Sequence, residues 1–292
     1  MRSNFDKNLL PEGYGLSCLE NYLLYSLIEQ NVEISRLFYR SYINFSRIYN
    51  AFLGGEQYAY YSGIPRLQNV YTELGLCEQQ WFTNMDDVLN ALENEKYGIA
   101  ICVTKEYIEE HYKVTLWRDD HFIMIAKNYD GNIIYVNDNP RDDGTLDIDS
   151  IRKNFAGQAV RFVMNGSVDY IDEKMQYDKF CQSVMQCDEV CIIDVNELTI
   201  QLLRDMIGVT RVVINRTEAI CKNHIDTGFI QEYQGLLNEK FTKLEYLRIR
   251  KRYDKSTLES IAQELLEKDK IIQNQLVERI KKQYGNGESK SN

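Results

Sequence analysis

Leu19, Leu23 and Leu27 fall on one stripe of residues 15–30 (GLSCLENYLLYSLIEQ), with Leu24 and Ile28 beside it, the spacing of a buried helix. A mixed aromatic segment follows to about residue 61. Residues 85–98 (MDDVLNALENEKYG) predict a second helix, ended by Gly98. IAICVT at 99–104 is a β-branched run without alternation, as in a buried strand. Residues 121–138 read as two short apolar strands folded around Asp130-Gly131, followed by a PRDDGT loop, a helix near 149–156 and a strand at 159–164 (AVRFVM). From about residue 168 the pattern turns to long helical periodicity. The last helix is expected to open on a capping box, Ser256 to Glu259, and to turn Leu258, Ile261, Leu265, Ile272, Leu276 and Ile280 inward. Lys281 and Lys282 suit its C-terminal end, Gly285 stops it, and the tail GNGESKSN reads as disordered. There is no internal repeat. The expectation is an α+β domain over residues 1–167 and a mainly α-helical domain over 168–292.

Composition narrows the class. At 292 residues, 44% hydrophobic and 27% charged, the chain is globular and long enough for two cores. Its net charge of -10 argues against binding nucleic acid or an anionic membrane through the overall field. The N-terminus has no apolar core of a secretory signal, and no run approaches the ~20 apolar residues that span a bilayer. Seven scattered cysteines read as thiols of a reducing, cytoplasmic compartment.

Candidate chemistry centres on Cys18, which opens the Leu19/Leu23/Leu27 helix, where unpaired N–H groups and the positive end of the dipole favour a thiolate. As a lone cysteine it is otherwise a small buried hydrophobe. What singles it out is a histidine–acid pair elsewhere. With Asp130-Gly131 as a two-residue loop, Ile123 faces Asp138, and His121 lies one rung away on the same face, within reach of a carboxylate. A three-residue loop reverses the parity and favours Asn137 or Asn139. His111 and His224 read as surface or capping histidines. A zinc site from Cys181, Cys187, Cys191 and His224 has spacings that fit no common knuckle, and Gly54-Gly55 is too sparse for a phosphate loop.

Cysteine at a helix start, histidine opening a strand about a hundred residues on, and aspartate closing the next strand is the order of papain-like thiol enzymes. More narrowly, LSCLENYLLYSL, VTKEYIEEHYKV, RDDHFIMIAKNYDGNIIYVNDNP and LDIDSIRKNFAG resemble the N-terminal domain of the butirosin-type acyltransferase family, whose relatives include the C39 bacteriocin-processing peptidases. The resemblance covers the first ~165 residues. It implies a papain-like (C39-like) catalytic domain followed by a helical one. It also implies a Cys-His-Asp transferase that moves an acyl group from a carrier-protein thioester to an amine in antibiotic biosynthesis, with Cys18 as nucleophile, His121 as base and Asp138 as its orienter. Two positions depart from the pattern. Glu12 stands where C39 peptidases carry a glutamine oxyanion donor, and Asp138-Asn139-Pro140 replaces the usual Asp-Pro.

The resemblance implies no protein-bound cofactor, a phosphopantetheine-linked donor and a small amine acceptor; a homodimer is left open. The tyrosines from Tyr58 to Tyr71 are candidates for the pocket lining, and equally for ordinary core. The partners expected are an acyl or peptidyl carrier protein and the acceptor, with neither nucleic acid nor membrane. An acidic chain needs a local basic patch to receive an acidic carrier. The densest is Arg248, Arg250, Lys251, Arg252 and Lys255, which also suits an ordinary helix C-terminus. The competing functions are a cysteine peptidase or amidase on the same triad, and a non-catalytic scaffold.

Overall fold

The structure is a computed structural model and describes residues 5–56, 63–93, 98–114, 120–166, 168–187 and 198–285. Tyr58, Cys191 and the tail beyond Gly285 lie outside these residues. The chain forms two units: Met1–Ile34 with Arg66–Tyr170, and Ser35–Pro65 with Ile171–Asn292. The segment 35–65, expected in the first domain, therefore belongs with the helical second unit. The later junction falls at Tyr170/Ile171, against 167/168 read from the sequence.

The class is α+β. The first unit holds an antiparallel six-stranded sheet of β1 (Cys77–Phe82), β2 (Ile99–Val103), β3 (His121–Lys127), β4 (Ile133–Asp138), β5 (Arg141–Leu146) and β6 (Phe155–Met164), in the order β1-β6-β2-β3-β4-β5. The helices are, in chain order, α1 (Cys18–Ile28), α2 (Phe45–Leu53), α3 (Leu67–Glu73), α4 (Met85–Leu92), α5 (Lys105–Tyr112), α6 (Ile148–Asn154), α7 (Glu173–Met185), α8 (Ile200–Cys221), α9 (Gly228–Arg250) and α10 (Lys255–Gly285). Of these, α2 and α7 to α10 lie in the second unit.

All five residues of β2 are buried, which explains its unbroken apolar run: an interior strand covered on both faces. Ile99, Ile101 and Val103 share one face with Ile123 and Ile125 of β3 and Ile133 and Tyr135 of β4, and pack with Val88 of α4, Ile108 of α5 and Ile151 of α6. Helix α1 lies against β3 and β4, on the face where Ser26 of α1 meets Met124 of β3. The strands missed in the sequence are the edges. β5 is RDDGTL, which reads as a loop because charge on an exposed edge blocks pairing with other chains. β1, CEQQWF, buries only Cys77 and leaves its other residues half-buried or exposed, so no apolar stripe marks it.

The hairpin differs from expectation in one decisive respect. Met124 pairs with Val136 and Lys127 with Ile133, so the loop is the three-residue Tyr129-Asp130-Gly131. Asn128 organises it: its N–H donates to Asn132 O, and its Oδ1 accepts from the N–H groups of Asp130 and Asn132. Gly131 takes the positive φ of 84° that closes such a loop. The register therefore shifts by one, and Ile123 aligns with Asn137 instead of Asp138.

In the second unit, the six positions expected to face inward on α10 are all buried. Its start differs. Asp254 caps the helix, accepting from the Thr257 N–H and from the Ser256 and Thr257 hydroxyls, so Ser256 is inside the cap. Further along, the buried Asp269 carboxylate accepts the Phe45 N–H at 2.7 Å and ties α10 to the start of α2.

Candidate active site

Ser17, Cys18, Leu19 and Glu20 set the start of α1. The Ser17 hydroxyl accepts the Glu20 N–H, and Glu20 reaches back to accept the Leu16 N–H at 2.6 Å, a variant of the capping box. The second Glu20 oxygen accepts the Leu67 N–H at 2.8 Å. One fully buried carboxylate thus secures the starts of both α1 and α3. Cys18 is the first residue of α1 and is half-buried.

Cys18 and Tyr22 are four residues apart, on one face of α1. The Tyr22 hydroxyl donates to Phe122 O at 2.7 Å and accepts the Asp138 N–H at 3.3 Å. It also lies 3.3 Å from Asp138 Oδ1 and 3.5 Å from Asn137 Oδ1. Continuing the β3–β4 register would pair Phe122 with Asp138 directly, but the observed ladder ends at Met124 and Val136. The hydroxyl therefore stands where a strand-to-strand hydrogen bond would be.

His121 and Asn137 share the sheet face demanded by this register, and His121 Nε2 is 2.7 Å from the fully buried Asn137 Oδ1. Asp138 points by alternation to the α1 face, where Asn21 Nδ2 donates to its Oδ2 at 2.8 Å. Around the opened strand end, its Oδ1 still comes within 3.2 Å of His121 Nε2. Asp138 is thus the second, longer partner of the ring: the expected pair is within reach, and Asn137, one of the two residues that a three-residue loop favours, lies nearer. Both groups at Nε2 are acceptors, so that nitrogen carries a proton and Nδ1 is the basic atom of the neutral ring.

The thiol departs from expectation. Burial pushes Cys18 up to about 12, and the Asp138 carboxylate adds to the rise; backbone hydrogen bonds with Phe122 and Leu19 pull the other way. Desolvation outweighs the helix start, so at neutral pH the resting group is a thiol. Glu12 is exposed and ion-paired with Arg141 at 3.0 Å, which makes it an acceptor and removes it as an oxyanion donor. Gly15 has a separate role: a Cβ there would lie 2.1 Å from Asn21 Oδ1, so its hydrogen side chain leaves room for the amide that holds Asp138.

The other candidates are dispersed. His111 ends α5, stacks on Tyr107 and has Nε2 3.3 Å from the Tyr135 hydroxyl, beside an open groove of about 510 Å³ that also takes in Lys113 and Lys153. His224 stacks on Tyr177 at 3.8 Å, and burial lowers its pKa. Among the described residues no group of three or more His, Cys, Asp or Glu is arranged to hold a metal; Cys191 lies outside them. Likewise no described helix is long and apolar enough to cross a membrane.

The basic cluster ends α9. Arg248 is committed to Glu245 at 2.9 Å, Arg250 lies over the Tyr246 ring, Lys251 is the left-handed C-cap, and Lys255 reaches Glu259 at 3.7 Å. Tyr246, Ile249 and Tyr253 are exposed beside it.

Asn21, Tyr22 and the Phe122 backbone were not anticipated. The spacing of Cys18 and Tyr22 was the available signal, but both residues also suit a plain apolar helix face. No family model matches the chain, and no curated protein matches it significantly.

Proposed function

We propose that the chain is a cysteine-dependent acyltransferase of papain-like fold. It would transfer an acyl group from a phosphopantetheine thioester on a carrier protein to a small amine, in the manner of the butirosin-type family it resembles. The observation that supports this reading is that the Asp138 carboxylate acts on Cys18, the opening residue of α1, and also lies 3.2 Å from His121 Nε2, which Asn137 holds at 2.7 Å. Cys18 S–H gives its proton to His121 Nδ1 as sulfur attacks the thioester carbonyl. The tetrahedral intermediate collapses, the pantetheine thiolate leaves and takes the proton from His121, and an acyl-enzyme remains. The amine then attacks the acyl carbonyl and loses its proton to His121, and the Cys18 thiolate departs and is reprotonated. The Cys18 N–H at the start of α1 would donate to the developing oxyanion.

Loss of the Glu12 donor disfavours the peptidase alternative, because amide cleavage demands more oxyanion stabilisation than thioester exchange. Carrier docking is assigned to Arg250, Lys251 and Arg252, with Arg248 occupied by Glu245. The experiment is intact-mass analysis after incubation with carrier proteins loaded with different acyl groups. An acyl adduct on the wild type that is absent from Cys18→Ala supports the reading; no adduct with any carrier-bound or small-molecule thioester overturns it.

A further inference from the structure

We infer that Tyr22 is a positioning residue: its hydroxyl wedges β3 from β4 and thereby lets Asp138 reach His121. This rests on the acyl-transfer reading only for its importance to turnover; the geometry stands independently. In an unbroken antiparallel ladder, Phe122 and Asp138 would bond to each other through their backbones. Here the Phe122 carbonyl accepts from the Tyr22 hydroxyl, and the Asp138 N–H donates to the Tyr22 hydroxyl oxygen. The phenol has one proton, and the shortest contact, 2.7 Å to Phe122 O, takes it. Cys18 lies beside the same strand end, where the Phe122 backbone works against the rise of its thiol pKa. Tyr22 thus stands between the Phe122 carbonyl and the Asp138 N–H, the position of the direct bond between them.

The consequence follows from strand alternation. Asp138 belongs to the α1 face and His121 to the opposite one, so a closed ladder would keep them apart. The opened end brings Asp138 Oδ1 to 3.2 Å from His121 Nε2, while Asn21 steadies the other oxygen. Without the hydroxyl, Phe122 and Asp138 can pair directly. The carboxylate then withdraws from the ring and stays beside the thiol, which weakens the base and leaves the thiol harder to ionise.

The test is alkylation of Cys18 by iodoacetamide at pH 7 to 8, followed by site-resolved mass spectrometry, in a cycle of Tyr22→Phe and Asp138→Asn. Tyr22→Phe should slow alkylation about tenfold, and the slowing should fall below twofold in the Asp138→Asn background, since coupled residues are not additive. Tyr25→Phe is the control: that hydroxyl lies on the same buried helix and accepts from the Asp6 N–H, and its loss should leave Cys18 unchanged. An unaltered rate in Tyr22→Phe, the same slowing with and without Asp138, or equal slowing in Tyr25→Phe overturns the inference. If Tyr22→Phe does not fold, 4-fluorophenylalanine at position 22 keeps the ring and fills the space of the hydroxyl without a donor, and the same slowing is expected; an unaltered rate overturns the inference equally. Failure to form an acyl-enzyme would count against the proposed function and leave this cycle readable.

Discussion

Asn137, not Asp138, is the nearer partner of the His121 ring: Nε2 lies 2.7 Å from the amide oxygen and 3.2 Å from the carboxylate. Asn137 is also wholly buried, whereas Asp138 keeps some exposure. Asn137→Ala should therefore cost more acylation rate than Asp138→Asn, about 100-fold against about tenfold, because it frees the ring to rotate. Single-turnover acylation by a thioester mimic reads the difference; a larger loss in Asp138→Asn would return the orienting role to the carboxylate.

The thiol of Cys18, raised to about 12 by burial and by Asp138, sets a pH signature. Between pH 7 and 9 its alkylation should climb about tenfold per pH unit, whereas an ordinary thiol levels off near ~8.5. The linked effect on stability has a definite sign. The folded state holds this proton more tightly than the unfolded one, so the contribution is complete below pH 9 and is lost as pH rises towards 12. Cys18→Ser, compared with wild type by chemical denaturation across that window, should show a shallower decline. A plateau in Cys18 alkylation near neutrality would mean a standing thiolate and overturn the account.

Asp269 offers a second titration, remote in sequence from the chemistry. Burial raises its carboxyl from 3.8 to about 7, against the pull of the Phe45 N–H and Tyr233. Because the neutral form is favoured on folding, this group's contribution is full below pH 4 and is lost as pH rises through 7. At about 1.4 kcal/mol per tenfold change in proton affinity, the ceiling is on the order of 4 kcal/mol. Asp269→Asn keeps an oxygen for Phe45 and removes the charge. It should be more stable than wild type at pH 8 and equal to it at pH 4, as read by denaturant midpoints at the two pH values.

The end of α9 can be tested as a docking surface. Arg250→Glu with Arg252→Glu should raise KM for a carrier-bound donor, leave turnover of a small thioester mimic unchanged, and lose its effect as salt rises. Arg248→Glu alone should do less, since Arg248 is already paired with Glu245. Equal kinetics for wild type and double variant at low salt would leave the cluster as an ordinary helix end.

Much of this arrangement is legible in the residues, and the gaps have physical causes. The buried stripe of α10 and the apolar run of β2 announce themselves, because burial selects side chains at a fixed period. Edge strands β1 and β5 do not, because one side of each faces solvent and carries charge or amide side chains. The partner of His121 depends on hairpin parity, which turns on a single residue of loop length; Asp130-Gly131 suggests a two-residue turn, and the Asn128 side chain makes it three. Tyr22 was hidden for another reason. Its ring satisfies the helix pattern, and only the register of two distant strands gives its hydroxyl a purpose.

The chain passes between the two units three times, at 34/35, 65/66 and 170/171. No single cut can therefore release the sheet unit as a clean fragment. Truncation after residue 170 would leave α2 attached, with Phe45, Ile48 and Phe52 stripped of the α8 and α10 surfaces they pack against and the Phe45 N–H without Asp269. Such a fragment should precipitate even though every residue of the candidate site is present. A usable minimal domain requires a second operation, the replacement of 35–65 by a short polar linker. Glu20, which fastens Leu16 before that excursion and Leu67 after it, marks where the two ends would need to be joined.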